Sequence, residues 1–151
     1  QTLQLMEAVA RIKEQRVKLI VFGSVTPELL EQVKNRCVEN KVFYIGWVTS
    51  DESYKYFAAA DLVVFPGRHS VFWEQVAGIG IPMLCKYWEG TTHVDLGGNV
   101  EFLKENSVTE IEEKIEEIVA CPEKYNMMKK AAIEKGMETF SYRKIAERAL
   151  S

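Results

Sequence analysis

Apolar positions along the chain switch repeatedly between a helical and a strand-like period. Leu5, Val9 and Ile12 share one helix face by the i, i+4, i+7 rule. Val17 to Phe22 (VKLIVF) then reads as a strand, closed by Gly23-Ser24. Pro27 fits the first turn of a second helix that runs to about Arg36. Val42 to Ile45 predicts the next strand, ended by Gly46. Ser50 can cap a third helix with Tyr54, Phe57 and Ala58 on one side. Leu62 to Phe65 (LVVF) is apolar on both faces, the mark of a strand in the middle of a parallel sheet. Ser70 can cap a fourth helix, Val71 to Ile79, with Phe72, Val76 and Ile79 as its core positions.

Met83 to Lys86 predicts a further strand, and Tyr87 to Asn99 an irregular segment. A short strand follows at Val100 to Leu103. Ser107 and Glu110 form an S-x-x-E capping box ahead of the stripe Val108, Ile111, Ile115 and Ile118. The charge run Glu110 to Glu117 is the solvated side of that helix. Pro122 opens another helix that Gly136 should close, and Ser141 caps a last one bearing Tyr142, Ile145 and Ala149. Strands alternating with helices imply βαβ units, right-handed crossovers and a doubly wound parallel sheet with helices on both faces. Ligands of such sheets bind beyond the carboxyl ends of the strands. Four loops therefore matter: Gly23 to Thr26, Gly46 to Thr49, Pro66 to Ser70 and Tyr87 to Asn99.

Composition narrows the choice. The 151 residues suit one domain, 47% apolar and 27% charged, which excludes a disordered or collagen-like chain. The net charge of −3 is scattered without a basic stripe, so nucleic acid is not an expected partner. No apolar run approaches the roughly 20 residues that span a bilayer, and no signal peptide is visible. Cys37, Cys85 and Cys121 form neither a disulfide framework nor a zinc motif; they read as small buried hydrophobes in a reducing cytoplasm. Gln at position 1 suggests a piece of a longer protein.

The richest stretch is Asp61 to Pro82, DLVVFPGRHSVFWEQVAGIGIP. A strand runs through Pro66-Gly67 into a helix beginning near Ser70, whose N–H groups and positive dipole end suit a phosphate or diphosphate. Ser70 could donate a hydroxyl, Arg68 a charge and His69 an N–H. Glu74, one turn in, could accept from a ribose diol. The plainer reading is that Ser70 only caps and Arg68 is solvated. Trp47, just past a strand end, either paves a base slot or seals the core edge. Gly23-Ser24 is no G-x-G-x-x-G fingerprint, which argues against a standard NAD site. His93, in TTHVD near Asp95, reads as a surface histidine. No Ser-His-Asp pattern or metal spacing stands out.

Taken together, these residues resemble the C-terminal, donor-binding half of a GT-B glycosyltransferase of family 4 ("group 1"). The matching segments include Leu5 to Ala8, LIVFGS (Leu19 to Ser24), VFYIGWV (Val42 to Val48) and YFAAADLVVFPG (Tyr56 to Gly67). Gly80-Ile81-Pro82, Gly97 to Asn99 and Phe140-Ser141-Tyr142 continue the order. The resemblance implies a Rossmann-like domain binding a nucleoside-diphosphate sugar, UDP- or GDP-linked, with no further cofactor and no bound metal. It implies sugar transfer in polysaccharide or glycolipid synthesis, a separate N-terminal acceptor-binding domain and peripheral membrane association of the full-length protein. The fragment alone should be inactive. The implied donor contacts are Ser24, Gly46, Trp47, Val48, Gly67, Arg68, His69, Ser70 and Glu74; no catalytic residue is assigned.

Three departures stand against the family pattern. The loop after Asp61 is about three residues short of the family's E-x7-E arrangement, so its first glutamate has no counterpart and Gln75, beside Glu74, takes the place of the second. The family's phosphate-binding Arg and Lys would precede or coincide with Gln1. The acceptor half is missing. Glu74-Gln75 also resembles the Glu-Glu pair of the UDP-GlcNAc 2-epimerases, so a GT-B sugar-nucleotide epimerase or hydrolase half is one alternative. A non-catalytic flavodoxin-like or response-regulator module is another, although Asp61 lies at the start of its strand rather than the carboxyl end.

Overall fold

The computed structural model describes residues 1–90 and 92–140. Its elements, in chain order, are α1 (Thr2–Arg11), β1 (Leu19–Val21), α2 (Pro27–Asn35), β2 (Val42–Tyr44), α3 (Ser50–Ala59), β3 (Val63–Phe65), α4 (Val71–Gly78), β4 (Met83–Lys86), β5 (Val100–Leu103), α5 (Val108–Ala120), α6 (Pro122–Ala131), a π-helical turn (Ala132–Gly136) and α7 (Met137–Phe140). The expected final helix capped by Ser141 lies outside the described residues.

All strand pairs are parallel. β1 pairs with β2, and β3, β4 and β5 pair in that order. Side chains alternate across the pleat and split the core in two. Leu84 and Leu103 face Leu5, Met6 and Val9 of α1, Val33 of α2 and Ile111 and Ile115 of α5. Met83, Cys85, Val63 and Val100 face Phe57 of α3 and Trp73, Val76 and Ala77 of α4. Helices thus cover both faces, the doubly wound α/β arrangement that the alternating periods predict.

The two sheet pieces share these cores without sharing a ladder. Leu19 and Val21 of β1 pack on the same cluster as Leu62 and Val64, beside and within β3. β3 is consequently an edge of its three-stranded piece, and the central strand there is β4 rather than the expected LVVF segment. β4 has the deeper burial, with Met83, Leu84 and Cys85 fully enclosed.

Several local expectations change for identifiable reasons. Thr49, not Ser50, caps α3: its hydroxyl accepts from Glu52 N at 3.1 Å, and the Glu52 carboxylate accepts from Thr49 N at 3.3 Å. This reciprocal box shifts the inward face to Ser53 and Phe57, leaving Tyr54 and Ala58 exposed. Ser107 caps α5, but Glu110 does not close the box. Its carboxylate reaches back to the amides of Lys104, Glu105 and Asn106 at 2.9, 3.0 and 2.7 Å. Gly136 does not end its helix either. The π turn carries it against α4, where an added Cβ would lie 2.4 Å from Ala77 O. Trp73, not Phe72, is the enclosed aromatic of α4. Of the cysteines only Cys85 is buried; Cys37 is exposed and its thiol donates to Val33 O. No helix among the described residues is long and apolar enough to cross a membrane.

Candidate functional site

An open cleft of about 330 Å³ lies past the carboxyl ends of β1 and β2. Phe22, Gly23, Trp47, Val48 and the start of α3 line it, and Phe72 reaches in from the first turn of α4. The turn after each strand is tied to its neighbour. Gly23 N donates to Gly46 O at 2.9 Å, and Tyr44 Oη donates to Gly23 O at 2.6 Å. Gly46 takes φ of 80°, a conformation that costs other residues about 1 kcal/mol or more, and this throws Trp47 outward. Trp47 is 70% exposed, so it does not seal the core. Phe57 packs behind the cleft with its ring tilted against both neighbours, its centroid 5.4 Å from Phe22 and 5.5 Å from Phe72. The result is an aromatic wall facing an exposed indole, a geometry suited to a flat ring.

The β3–α4 corner is a second feature. Ser70 caps α4, its hydroxyl accepting from Phe72 N at 3.3 Å. Two side chains from later loops hold the corner. Trp88 Nε1 donates to Gly67 O at 3.1 Å, and Asn106 Nδ2 donates to Pro66 O at 2.8 Å. Neither stood out in the sequence, because each acts across a long chain separation.

Glu74 gathers the two histidines of the chain. His69 Nε2 and His93 Nε2 each lie 2.6 Å from Glu74 Oε1. Glu74 Oε2 is enclosed, with no hydrogen-bond partner among the described residues. Burial works to raise the Glu74 carboxyl, but the hydrogen bonds from His93 and His69 outweigh it and hold the group below its ordinary value. His93 is thus no isolated surface histidine. Its loop is fixed by Asn99, whose side chain accepts from Leu96 N at 2.7 Å and donates to Val94 O at 2.9 Å.

The expected donor contacts therefore divide. Trp47 and Val48 line the cleft and Gly46 shapes it. Gly67, His69, Ser70 and Glu74 belong to the neighbouring corner, and Arg68 is exposed beside them. Ser24 is exposed and lies outside the cleft lining. Glu74, the expected ribose contact, holds one oxygen between the two imidazoles and the other enclosed. Burial pushes the Cys85 thiol far up, which agrees with its reading as an inert core residue.

Comparison with known proteins bears on the fold and the family. The chain is similar in structure to a putative UDP-N-acetylglucosamine 2-epimerase from Listeria monocytogenes (TM-score 0.78, 16% identity, 98% of this chain and 39% of that one). It is similar to sucrose-phosphate synthase from Thermosynechococcus elongatus (0.76, 18%, 97% and 40%). It is also similar to the C-terminal domain of the group 1 glycosyl transferase LpcC from Francisella tularensis (0.74, 16%, 93% and 80%). The chain spans about two fifths of the length of the first two proteins. No curated protein sequence matches it. At these identities the likenesses show the fold, a Rossmann-like GT-B domain. The sequence model described as "Glycosyl transferases group 1" matches residues 2–135, nearly the whole length, and the chain accordingly belongs to that family.

Proposed function

We propose that this domain binds the nucleoside-diphosphate sugar of a glycosyltransferase, one half of a protein whose other half holds the acceptor. The observation that carries this reading is the open aromatic cleft beside Trp47, at the strand ends where α/β sheets take their ligands. Its volume falls within the usual range of small-molecule sites, about 300–1,000 Å³. The base would lie between Trp47 and the Phe22–Phe72 wall. The diphosphate would extend toward the amino end of α4, where the helix dipole favours negative charge. As the sugar leaves, charge builds on the diphosphate, and amide dipoles fixed in advance stabilise it without reorganising.

Family membership supports transfer over epimerisation. The test is to incubate the full-length protein with UDP- or GDP-sugars, with and without polysaccharide or glycolipid acceptors. Sugar incorporation that requires acceptor supports transfer. Conversion of the nucleotide sugar without acceptor would replace it with epimerisation or hydrolysis.

A further inference from the structure

The juxtaposition of His69, Glu74 and His93 goes beyond donor binding and does not depend on it. Their ligand atoms all lie within 4.8 Å of one another. We infer that these three side chains form a site for a divalent transition cation of the zinc class. Two imidazole nitrogens and one carboxylate oxygen are the three protein ligands of an open four-coordinate zinc site, which leaves one position for water or an incoming oxygen. Two nitrogens in the set disfavour magnesium and calcium, which take oxygen ligands.

The present packing supports this assignment in three ways. First, both Nε2 atoms converge on a single oxygen, so in the tautomer that carries its proton on Nδ1 the two lone pairs share a focus with Glu74. Zinc bonds of about 2.0–2.2 Å require ligand atoms about 3.3 Å apart in a tetrahedron. The atoms start between the 2.6 Å contacts and the 4.8 Å bound, on side chains that are part exposed, at 32% for His69, 26% for Glu74 and 45% for His93, and so can rotate to that spacing. Second, the backbone is already held. Trp88 pins Gly67, two residues before His69, and Asn99 fixes the turn after His93. The His69 ring also stands edge-on to the enclosed Trp73, 5.1 Å between centroids. Third, the nearby competitors are accounted for. Asp95 Oδ1 accepts from the amides of Gly97 and Gly98, and Cys85 is enclosed with its thiol held neutral.

The test is a titration of the metal-stripped 151-residue chain with Co²⁺, whose visible d–d absorption reports tetrahedral coordination, followed by displacement with Zn²⁺. The expected result is one Co²⁺ per chain with tetrahedral bands, displaced by one Zn²⁺ and unaffected by excess Mg²⁺. His93→Ala, on an exposed loop, should weaken binding by about tenfold or more with an unchanged circular dichroism spectrum. His69→Asn should do the same, and serves if His93→Ala perturbs the fold. Absence of tetrahedral bands would overturn the site. So would bands that persist in both variants, or thiolate charge-transfer absorption that disappears in Cys37→Ser or Cys121→Ser.

Discussion

Trp88 and Gly67 stand 21 residues apart in the chain, yet the indole nitrogen of Trp88 donates to the Gly67 carbonyl at 3.1 Å. With Asn106 on Pro66 O, it fixes the loop between β3 and α4 from outside. Loop carbonyls without such partners would be solvated and free to move.

Asn106→Gly should therefore loosen that loop. Asn106 is buried at φ of 59°, which glycine accepts, so the substitution adds no backbone strain to the lost hydrogen bond and the vacated side-chain space. The expected cost is about 1–2 kcal/mol in urea denaturation, with faster amide exchange at residues 66–70. Asn106→Ala should cost about 1 kcal/mol more through backbone strain. Equal stability of the glycine variant and the parent would show that the contact holds nothing.

Gly136→Ala should be among the more damaging single-methyl changes in the chain. The new Cβ would meet the backbone oxygen of Ala77 at 2.4 Å, and neither α4 nor the π turn can withdraw cheaply. Overpacking of this kind costs about 1–3 kcal/mol. Gly67→Ala offers the contrast, because its Cβ would meet only the flexible end of Gln1 at 3.2 Å. Thermal melts should separate the two variants by several degrees, and coincident melts would contradict the packing described.

Acid should weaken the contact between β5, α5 and α6. Burial raises the Glu101 carboxyl, but Lys124 at 2.9 Å and Lys114 at 3.4 Å outweigh it and hold the group below its ordinary value. Lys124 also pairs with Glu117 at 2.6 Å. A carboxylate depressed in the folded state contributes stability that is full above its unfolded pKa. That contribution is lost as pH falls from the ordinary carboxylate range through the folded value. Glu101→Gln should lower stability at pH 7 and flatten this part of the acid limb. Parallel pH–stability curves for variant and parent would remove the pair from the account.

What the sequence showed and what it hid have distinct physical causes. The stripe Ile111, Ile115 and Ile118 and the face Leu5, Val9 and Ile12 were legible because one buried helix face imposes its period directly. The α3 cap was legible in principle, since Thr49 precedes Glu52 by three residues and Ser50 lacks such a partner. Trp47 follows a strand end, as the apolar pattern predicts, but its exposure to solvent goes with the positive-φ turn at Gly46, which that pattern does not carry. The meeting of His93 with Glu74, 19 residues away, left no local signal. It follows from how an irregular loop folds back over the β3–α4 corner, and periodicity carries no information about that.

A nucleotide in the cleft beside Trp47 would be felt first by the amides that line it. The most direct measurement is a titration of the isotopically labelled chain with UDP and GDP, followed through backbone amide NMR signals and repeated on Trp47→Ala. Saturable shifts are expected at Gly23, Gly46 to Val48 and the first turn of α4, with affinity about tenfold weaker or worse in the variant, as loss of one base–aromatic stack implies. Shifts confined to other parts of the chain, or equal affinity in Trp47→Ala, would contradict that placement.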